Sequence, residues 1–418
     1  MSLIGHIRPR SASEIASSNW SVGGETLDRD FADYDSYKSY LGPLGAKAIR
    51  VQTGWAKCEK KPGEYDFAWL DAIVDDARAH GVQPWLELSY GNPIYPGGGG
   101  TNLGAGLPSS PEALAAWDNW VRAMVLHFRD RVWEWEIWNE PDLGIFIPSM
   151  GEKITGEEYA RFYIRTAEIV RALQPQCRLY GIGWAHVEEF AAEFMECLGD
   201  KRHLLDAITV HGYPPIPEDI YSITAMRRLA PGIEVRQGET GAPSESSNFG
   251  AMCEQTWTEL TQAKWNLRRM LVHHAEGIAY NIFTLSDLNY HGKMNCKGLL
   301  RANPDKTISG PKLAYRAVQH LLAVFDDRLE RCAGEDIAGP AVFHSYRRKD
   351  TGAKVAAVWL GGEIAKNDNT PTLTKLPLAG FTEPLFVDLL TGDVSTLPDP
   401  LPLYDSPILI ADKSALPL

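Results

Sequence analysis

Between about Asn19 and about Phe325, apolar runs of strand length alternate eight times with helix-period segments. The strands read "SNWSVGG", "AKAIRVQ", "VQPWLELS", "VWEWEIWN", "RLYGIGW", "AITVHGY", "IEVRQGE" and "GIAYNIF". Parallel strands joined by helical crossovers bury both faces, so such a chain closes into a barrel or spreads into a doubly wound sheet. The helical signals between the strands are specific. In "FAWLDAIVDDARAHG", Phe67, Leu70, Ile73, Val74 and Ala77 share one face and Gly81 supplies the stop. Ser110 before Pro111 reads as an N-cap and first helical position. Thr155 with Glu158 reads as a capping box. No GxGxxG follows the first strand, as a dinucleotide-binding open sheet requires. The expected fold is therefore α/β, a (β/α)8 TIM barrel over residues 19–325.

After about Asp326 the helical period stops. "PAVFHSYRR", "KVAAVWLGG", "EPLFVDLLTG" and "LPLYDSPILIAD" are short strands parted by Gly, Pro, Asn and Asp. Residues 326–418 are expected to form a small all-β, sandwich-like accessory domain packed on the barrel, and residues 1–18 a leader segment. The patch "GNPIYPGGGGTNLGAG" after the third strand lacks the Lys-Ser/Thr of a phosphate-binding P-loop and reads as a mobile loop at the barrel mouth.

A net charge of −13 argues against nucleic acid and anionic membrane surfaces, which demand concentrated positive charge. It suits an uncharged ligand. No segment has the length of a membrane span. Cys58, Cys177, Cys197, Cys253, Cys296 and Cys332 form no CxxC pair and read as reduced thiols. "MSLIGHIRPRSASEIASS" has no apolar signal core, so a cytoplasmic protein is expected, or a secreted one if a leader was removed. Oligomeric state is left open.

In a (β/α)8 barrel the reactive groups sit where strands end. Arg50 and Gln52 lie on the second strand, with Ala48 on the same side. The fourth ends in Asn139-Glu140. The sixth puts Thr209, His211 and Tyr213 inward, and the seventh ends in Glu239, with Val235 and Gln237 sharing its side. Two glutamates facing one another across a narrow mouth are what glycosidic cleavage uses, one as proton donor and one as nucleophile or base.

"EIWNEPD" and "RQGETGAP" resemble the retaining (β/α)8 glycoside hydrolases of clan A, which include cellulase-like and β-xylosidase/iduronidase-like families. The resemblance covers the barrel. It implies a retaining hydrolase of β-glycosidic bonds in a neutral oligosaccharide or glycoside, working by double displacement with no cofactor and no metal. Glu140 would be the acid/base and Glu239 the nucleophile; Asn139 would hold the substrate 2-hydroxyl, and Tyr213 and Arg50 would hydrogen-bond Glu239. The clan's Trp at the end of strand eight is replaced here by Phe283 and then Asp287, and its His after strand three by Ser89 and Tyr90. Sugar identity and exo or endo action stay open.

Other residues carry plainer expectations. Glu136 reads as a buried partner of Arg50 or Arg236, and Trp133, Trp135 and Ile137 as core against the helices. His211 orients or is a satisfied core histidine. Trp184 or His186, and Phe283, Asp287, Asn289 or His291, are candidates to line the sugar cleft. His273-His274 have no acidic or cysteine partner at ligand spacing, and no HExxH occurs. Two other classes compete: a catalytically silent carbohydrate-binding barrel, and a metal-dependent enolising barrel, which strands five and six demote because they lack acidic ligands.

Overall fold

A computed structural model describes residues 1–247, 249–336, 341–376 and 378–418. Its centre is a closed parallel barrel of eight strands in chain order: β1 Trp20–Gly23, β2 Ala48–Gln52, β3 Gln83–Leu88, β4 Glu134–Ile137, β5 Arg178–Trp184, β6 Ala207–His211, β7 Glu234–Thr240 and β8 Tyr280–Ile282. The main helices are α1 Tyr34–Leu44, α2 Ala68–Ala79, α3 Pro111–Phe128, α4 Gly156–Leu173, α5 Glu188–Leu198, α6 Tyr221–Leu229, α7 Glu259–Ala275 and α8 Leu313–Val324. The local signals act as read. Ser110 accepts from Ala113 N at the start of α3, Thr155 and Glu158 close a capping box on α4, and Gly81 takes φ +77° just past α2. Among the described residues no helix is long and apolar enough to cross a membrane.

Branched and aromatic side chains of the strands, such as Ile49, Val51, Leu86, Trp135, Ile137, Ile208 and Val210, point outward into the main core with the helices. Trp133 does not join them. It precedes β4 at the bottom of the barrel and is 49% exposed, a correction to its expected core role.

The barrel interior is polar where many barrels carry Val, Ile and Leu. Trp85, Tyr180 and Ala207 form a small buried cluster, with the guanidinium of Arg236 over both rings. That placement corrects the phase expected for β7. Arg236 points inward, while Val235 joins the outer core and the Gln237 side chain meets His273 of α7. A register shift between Gln237 and Glu239 then restores Glu239 to the inner side, opposite His211.

The C-terminal part is a seven-stranded sheet. Its strands are β9 Leu329–Arg331, β10 Ala341–Arg348, β11 Lys354–Leu360, β12 Pro384–Asp388, β13 Asp393–Thr396 and β14 Ile408–Asp412, joined by Leu3–His6. Leu3–His6, from the segment expected as a leader, pairs antiparallel with β13 at the sheet edge. One sheet face brings Tyr346, Val355, Ala357, Trp359 and Leu409 into the main core. The other buries Phe343, Val358, Phe386 and Ile410 under Leu401 and Leu403, which belong to a two-stranded ribbon. With both faces covered, β11 reads after Lys354 as the unbroken apolar run "VAAVWL". All six cysteines are free thiols.

The glycine-rich loop after β3 is folded on itself. Gly91 N donates to Gly100 O and Asn92 N to Gly98 O, both at 2.8 Å. A Cβ on Gly98 would lie 2.0 Å from Asn92 O, so these glycines serve close backbone approach rather than the mobility expected of them.

Candidate active site

Arg50 is the hub of the mouth. Fully buried on β2, it donates from Nε to Glu136 at 2.7 Å. One terminal nitrogen reaches Glu25 at 2.9 Å and Glu239 at 3.3 Å; the other reaches Glu87 and, at 2.8 Å, Asn139 Oδ1. A guanidinium has five N–H donors in a fixed fork, and here every nitrogen is engaged. Of the two partners expected for Glu136, the structure selects Arg50. Thr209 on β6 donates to the same carboxylate. One cation thus faces four carboxylates, three of them wholly buried. Burial pushes Glu25 up to about 7, with Arg50 opposing and Glu239 adding to the rise, and it holds Glu87 well above the ordinary carboxylate range.

Glu140 does not reach the mouth by strand alternation. β4 ends at Ile137, after which Trp138 (φ +66°) and Glu140 (φ +47°) both adopt the left-handed region. For non-glycine residues that costs on the order of 1–3 kcal/mol each, held in place by surrounding contacts. Trp138 N donates to Leu88 O at 3.0 Å and Glu140 N to Gly183 O at 3.1 Å. Trp138 turns outward to pack against Trp117, Tyr90 and Phe162, and Glu140 turns in. Asp142, two residues on, accepts the backbone N–H groups of Ala185, His186 and Val187 at 2.8–2.9 Å and ties the loop after β5 to the loop carrying Glu140. Burial, with the Asp142 charge adding to it, pushes the Glu140 carboxyl up to about 8, against the pull of Arg50.

Glu239 stands opposite. Its Oε1 accepts from the Tyr213 hydroxyl at 2.5 Å and its Oε2 from Arg50 at 3.3 Å. His211 bridges the pair, with Nδ1 2.7 Å from Glu140 Oε1 and 3.7 Å from Glu239 Oε2. Burial pushes His211 down, toward the neutral ring. Its buried Nε2 has no partner among the described residues, so the proton belongs on Nδ1, donated to Glu140 Oε1. Oxygens of Glu140 and Glu239 and the His211 nitrogen all lie within 4.8 Å of one another. That spacing would also admit a cation, but the 2.7 Å contact between Glu140 and His211 is a hydrogen bond.

The remaining expected residues divide. Asn139 is at the site, its Oδ1 on Arg50 and its Nδ2 on the Tyr90 hydroxyl at 2.9 Å. Phe283 packs edge-on to Tyr213 at 6.2 Å and borders the site. Trp184 does not line it. The indole is fully buried in the helix-facing core with Nε1 donating to Val187 O, and His186 stacks over it. Asp287 is equally committed elsewhere, accepting from Lys312 Nζ at 2.6 Å and from Gly298 N at 3.0 Å, which leaves it nothing to offer a sugar. Both corrections share a cause: a side chain near a strand end is drawn into the barrel wall or a buried ion pair when a partner waits there. Glu25, Glu87, Tyr90 and Asp142 were missed. Glu87 shares its strand face with Trp85, and Glu25 lies two residues past the end of β1, so a search of every strand end for carboxylates would have raised both.

With this geometry in view, comparison with known proteins is informative. Residues 53–235 match the model of glycosyl hydrolases family 39. The match includes Glu140 and stops before Glu239, and it upholds the resemblance to clan A glycoside hydrolases. A β-xylosidase from Geobacillus stearothermophilus is 27% identical over 164 residues, covering 37% of this chain and 32% of that protein. A second, from Caldicellulosiruptor saccharolyticus, is 25% identical over 158 residues, covering 36% and 31%. The matched segment thus spans about a third of the length of these curated relatives. Among solved structures, a family 39 glycoside hydrolase from Bacteroides cellulosilyticus WH2 superposes with a TM-score of 0.70 at 18% identity, over 95% of this chain and 81% of that one. A monomeric β-xylosidase from Caulobacter crescentus CB15 gives 0.61 at 19% identity, over 89% and 83%. These likenesses establish the barrel-plus-β-domain fold.

Proposed function

We propose that the protein is a retaining glycoside hydrolase that cleaves β-glycosidic bonds of a neutral oligosaccharide or glycoside by double displacement. The observation that carries this is the approach of Glu140 and Glu239 oxygens to within 4.8 Å. Retaining enzymes hold their carboxyl groups about 5–5.5 Å apart, whereas inverting ones leave about 6.5–9.5 Å for a water. In the first step Glu239, oriented by donors from Arg50 and Tyr213, attacks the anomeric carbon. The bond to the leaving oxygen breaks and that oxygen takes the proton of Glu140. Because His211 donates to Oε1, that proton sits on Oε2. In the second step the Glu140 carboxylate takes a proton from water, whose oxygen displaces Glu239 from the sugar.

The curated relatives' names make aryl β-xylosides the first substrates to try. Proton NMR of the initial product tests the reading: the β-anomer first, with rates unchanged by chelator, is expected. An α-anomer first would sink the double displacement, activity lost to chelator would point to metal chemistry, and sugar binding without turnover would leave a silent binding barrel.

The acid must be protonated to act, so kcat/KM on a poor leaving group is expected to fall as pH rises through about 8, where Glu140 loses its proton. A dinitrophenyl leaving group needs little proton donation and should flatten that alkaline limb. Parallel limbs for the two substrates would remove Glu140 from the acid role.

A further inference from the structure

Beside the carboxylate pair lies a buried lysine, Lys297, with no hydrogen-bond acceptor or carboxylate partner among the described residues. Lys297 follows the strand Lys293–Asn295 in the segment after β8, and only 2% of its surface is exposed. The two more deeply buried lysines are satisfied, Lys264 by Asp405 at 2.5 Å and Lys312 by Asp287 at 2.6 Å. Among the described residues Lys297 Nζ has no hydrogen-bond acceptor and no ion-pair partner. It stands 5.5 Å from the centroid of the Tyr213 ring, whose hydroxyl holds Glu239. A desolvated ammonium without an acceptor is costly, and burial pushes Lys297 down to about 8, with Glu239 opposing.

Its position is built. The Lys297 carbonyl accepts from Gln262 Nε2 of α7 at 3.3 Å, and Lys297 N donates to Asn295 Oδ1 at 3.3 Å. The Asn295 amide nitrogen is a second donor without an acceptor among the described residues. Both donors converge on Gly250 (φ +84°), where a Cβ would lie 3.2 Å from Lys297 Nζ and 3.8 Å from Asn295 Nδ2. The cationic donor therefore lies over the ring of the tyrosine that holds Glu239, and the Asn295 amide stands with it at Gly250.

We propose that Lys297 and Asn295 form the donor wall of the glycone subsite and bind hydroxyl oxygens of the neutral sugar whose anomeric carbon faces Glu239. The inference rests on the hydrolase reading for the role of Glu239. Charge favours a hydroxyl over a carboxylate: Glu239 already offsets the lysine, and Glu25, Glu87, Glu136 and Glu239 share one guanidinium, so a further anion would meet repulsion.

The test compares wild type, Lys297→Met, Lys297→Arg and Asn295→Ala on para-nitrophenyl β-xyloside, β-glucoside and β-glucuronide, with kcat and KM resolved. Lys297→Met is expected to lose about tenfold or more in kcat/KM on the best neutral substrate, chiefly through KM, with partial recovery in Lys297→Arg. A residue that only stabilises the fold would move the melting temperature without that split or that rescue. Lys297→Met and Asn295→Ala both within about twofold of wild type, or the glucuronide as best substrate, would overturn the proposal. Should Lys297→Met fail to fold, Asn295→Ala and Lys297→Arg decide by the same KM readout. If wild type hydrolyses nothing, the hydrolase reading fails separately. Calorimetric titration with D-xylose and D-glucose then decides this one: binding weakened by Lys297→Met supports it, and equal binding, or none to wild type, overturns it.

Discussion

Replacing Glu239 with glycine is expected to lower turnover of an aryl β-glycoside by about 10⁴-fold or more, while the protein stays folded. The carboxylate is held by Tyr213 and Arg50, and in the proposed double displacement it forms the covalent bond, a role no neighbour could take over. Arg50 keeps Glu25, Glu87 and Glu136 as partners in the variant, which is why the fold should survive. Azide sharpens the test. Entering the space vacated by Glu239, it should restore turnover and give the α-glycosyl azide, because it attacks from the nucleophile's side. In Glu140→Ala, azide should instead resolve the glycosyl-enzyme and give the β-azide. Product stereochemistry therefore assigns the two carboxylates individually. A Glu239→Gly variant within tenfold of wild type, or azide products of the opposite hand, would reverse or remove the assignment.

Arg50→Met is expected to have the largest effect on stability, about 3–5 kcal/mol or more. The substitution nearly conserves volume but strands Glu25, Glu87 and Glu136 in the barrel with no counter-charge. Glu25 and Glu87, already raised by burial, respond by taking up protons. Burial already raises Glu25 to about 7 and holds Glu87 well above the ordinary carboxylate range, so the folded state binds more protons than the unfolded chain, and stability declines as pH rises from the unfolded carboxylate range through those raised values. Removing Arg50 widens the gap, and the loss should be smaller at about pH 5 than at about pH 8. Thermal or urea unfolding at the two pH values measures it. A variant melting within about 2 °C of wild type at the higher pH would mean that the guanidinium does not hold the barrel interior together.

The convergence of Glu140 and Glu239 was legible in the chain because their flanks, "WNEPD" and "QGETGAP", mark strand ends that a closed barrel must bring together. The route by which each side chain turns inward was not. Alternation predicts that Trp138 points where Glu136 points, yet left-handed backbone at Trp138 and Glu140 sends the indole out to Trp117 and Phe162. Alternation likewise places Gln237 with Glu239, whereas the register shift between them puts the two on opposite sides. Such departures depend on what the neighbouring strands offer, Leu88 O and Gly183 O for β4 and the β6 ladder for β7, and no local propensity reports them. Trp184 and Asp287 failed as sugar contacts for a related reason: Val187 O and Lys312 claim them through contacts that only the folded chain supplies.

What the amino-acid sequence determined alone was the alternation of strands and helices, the caps that start α3 and α4, the outer core and the pair of strand-ending carboxylates. All follow from periodicity and short-range hydrogen bonding, which act within a few residues. Only the tertiary structure decided that a single arginine would collect Glu25, Glu87, Glu136 and Glu239 from four strands or strand ends, that His211 would lie between Glu140 and Glu239, and that Lys297 would stand beside Tyr213 with no acceptor among the described residues. Those relations join residues distant in sequence, and their energies come from desolvation and charge in an enclosed space, which exists only once the ring of strands has closed.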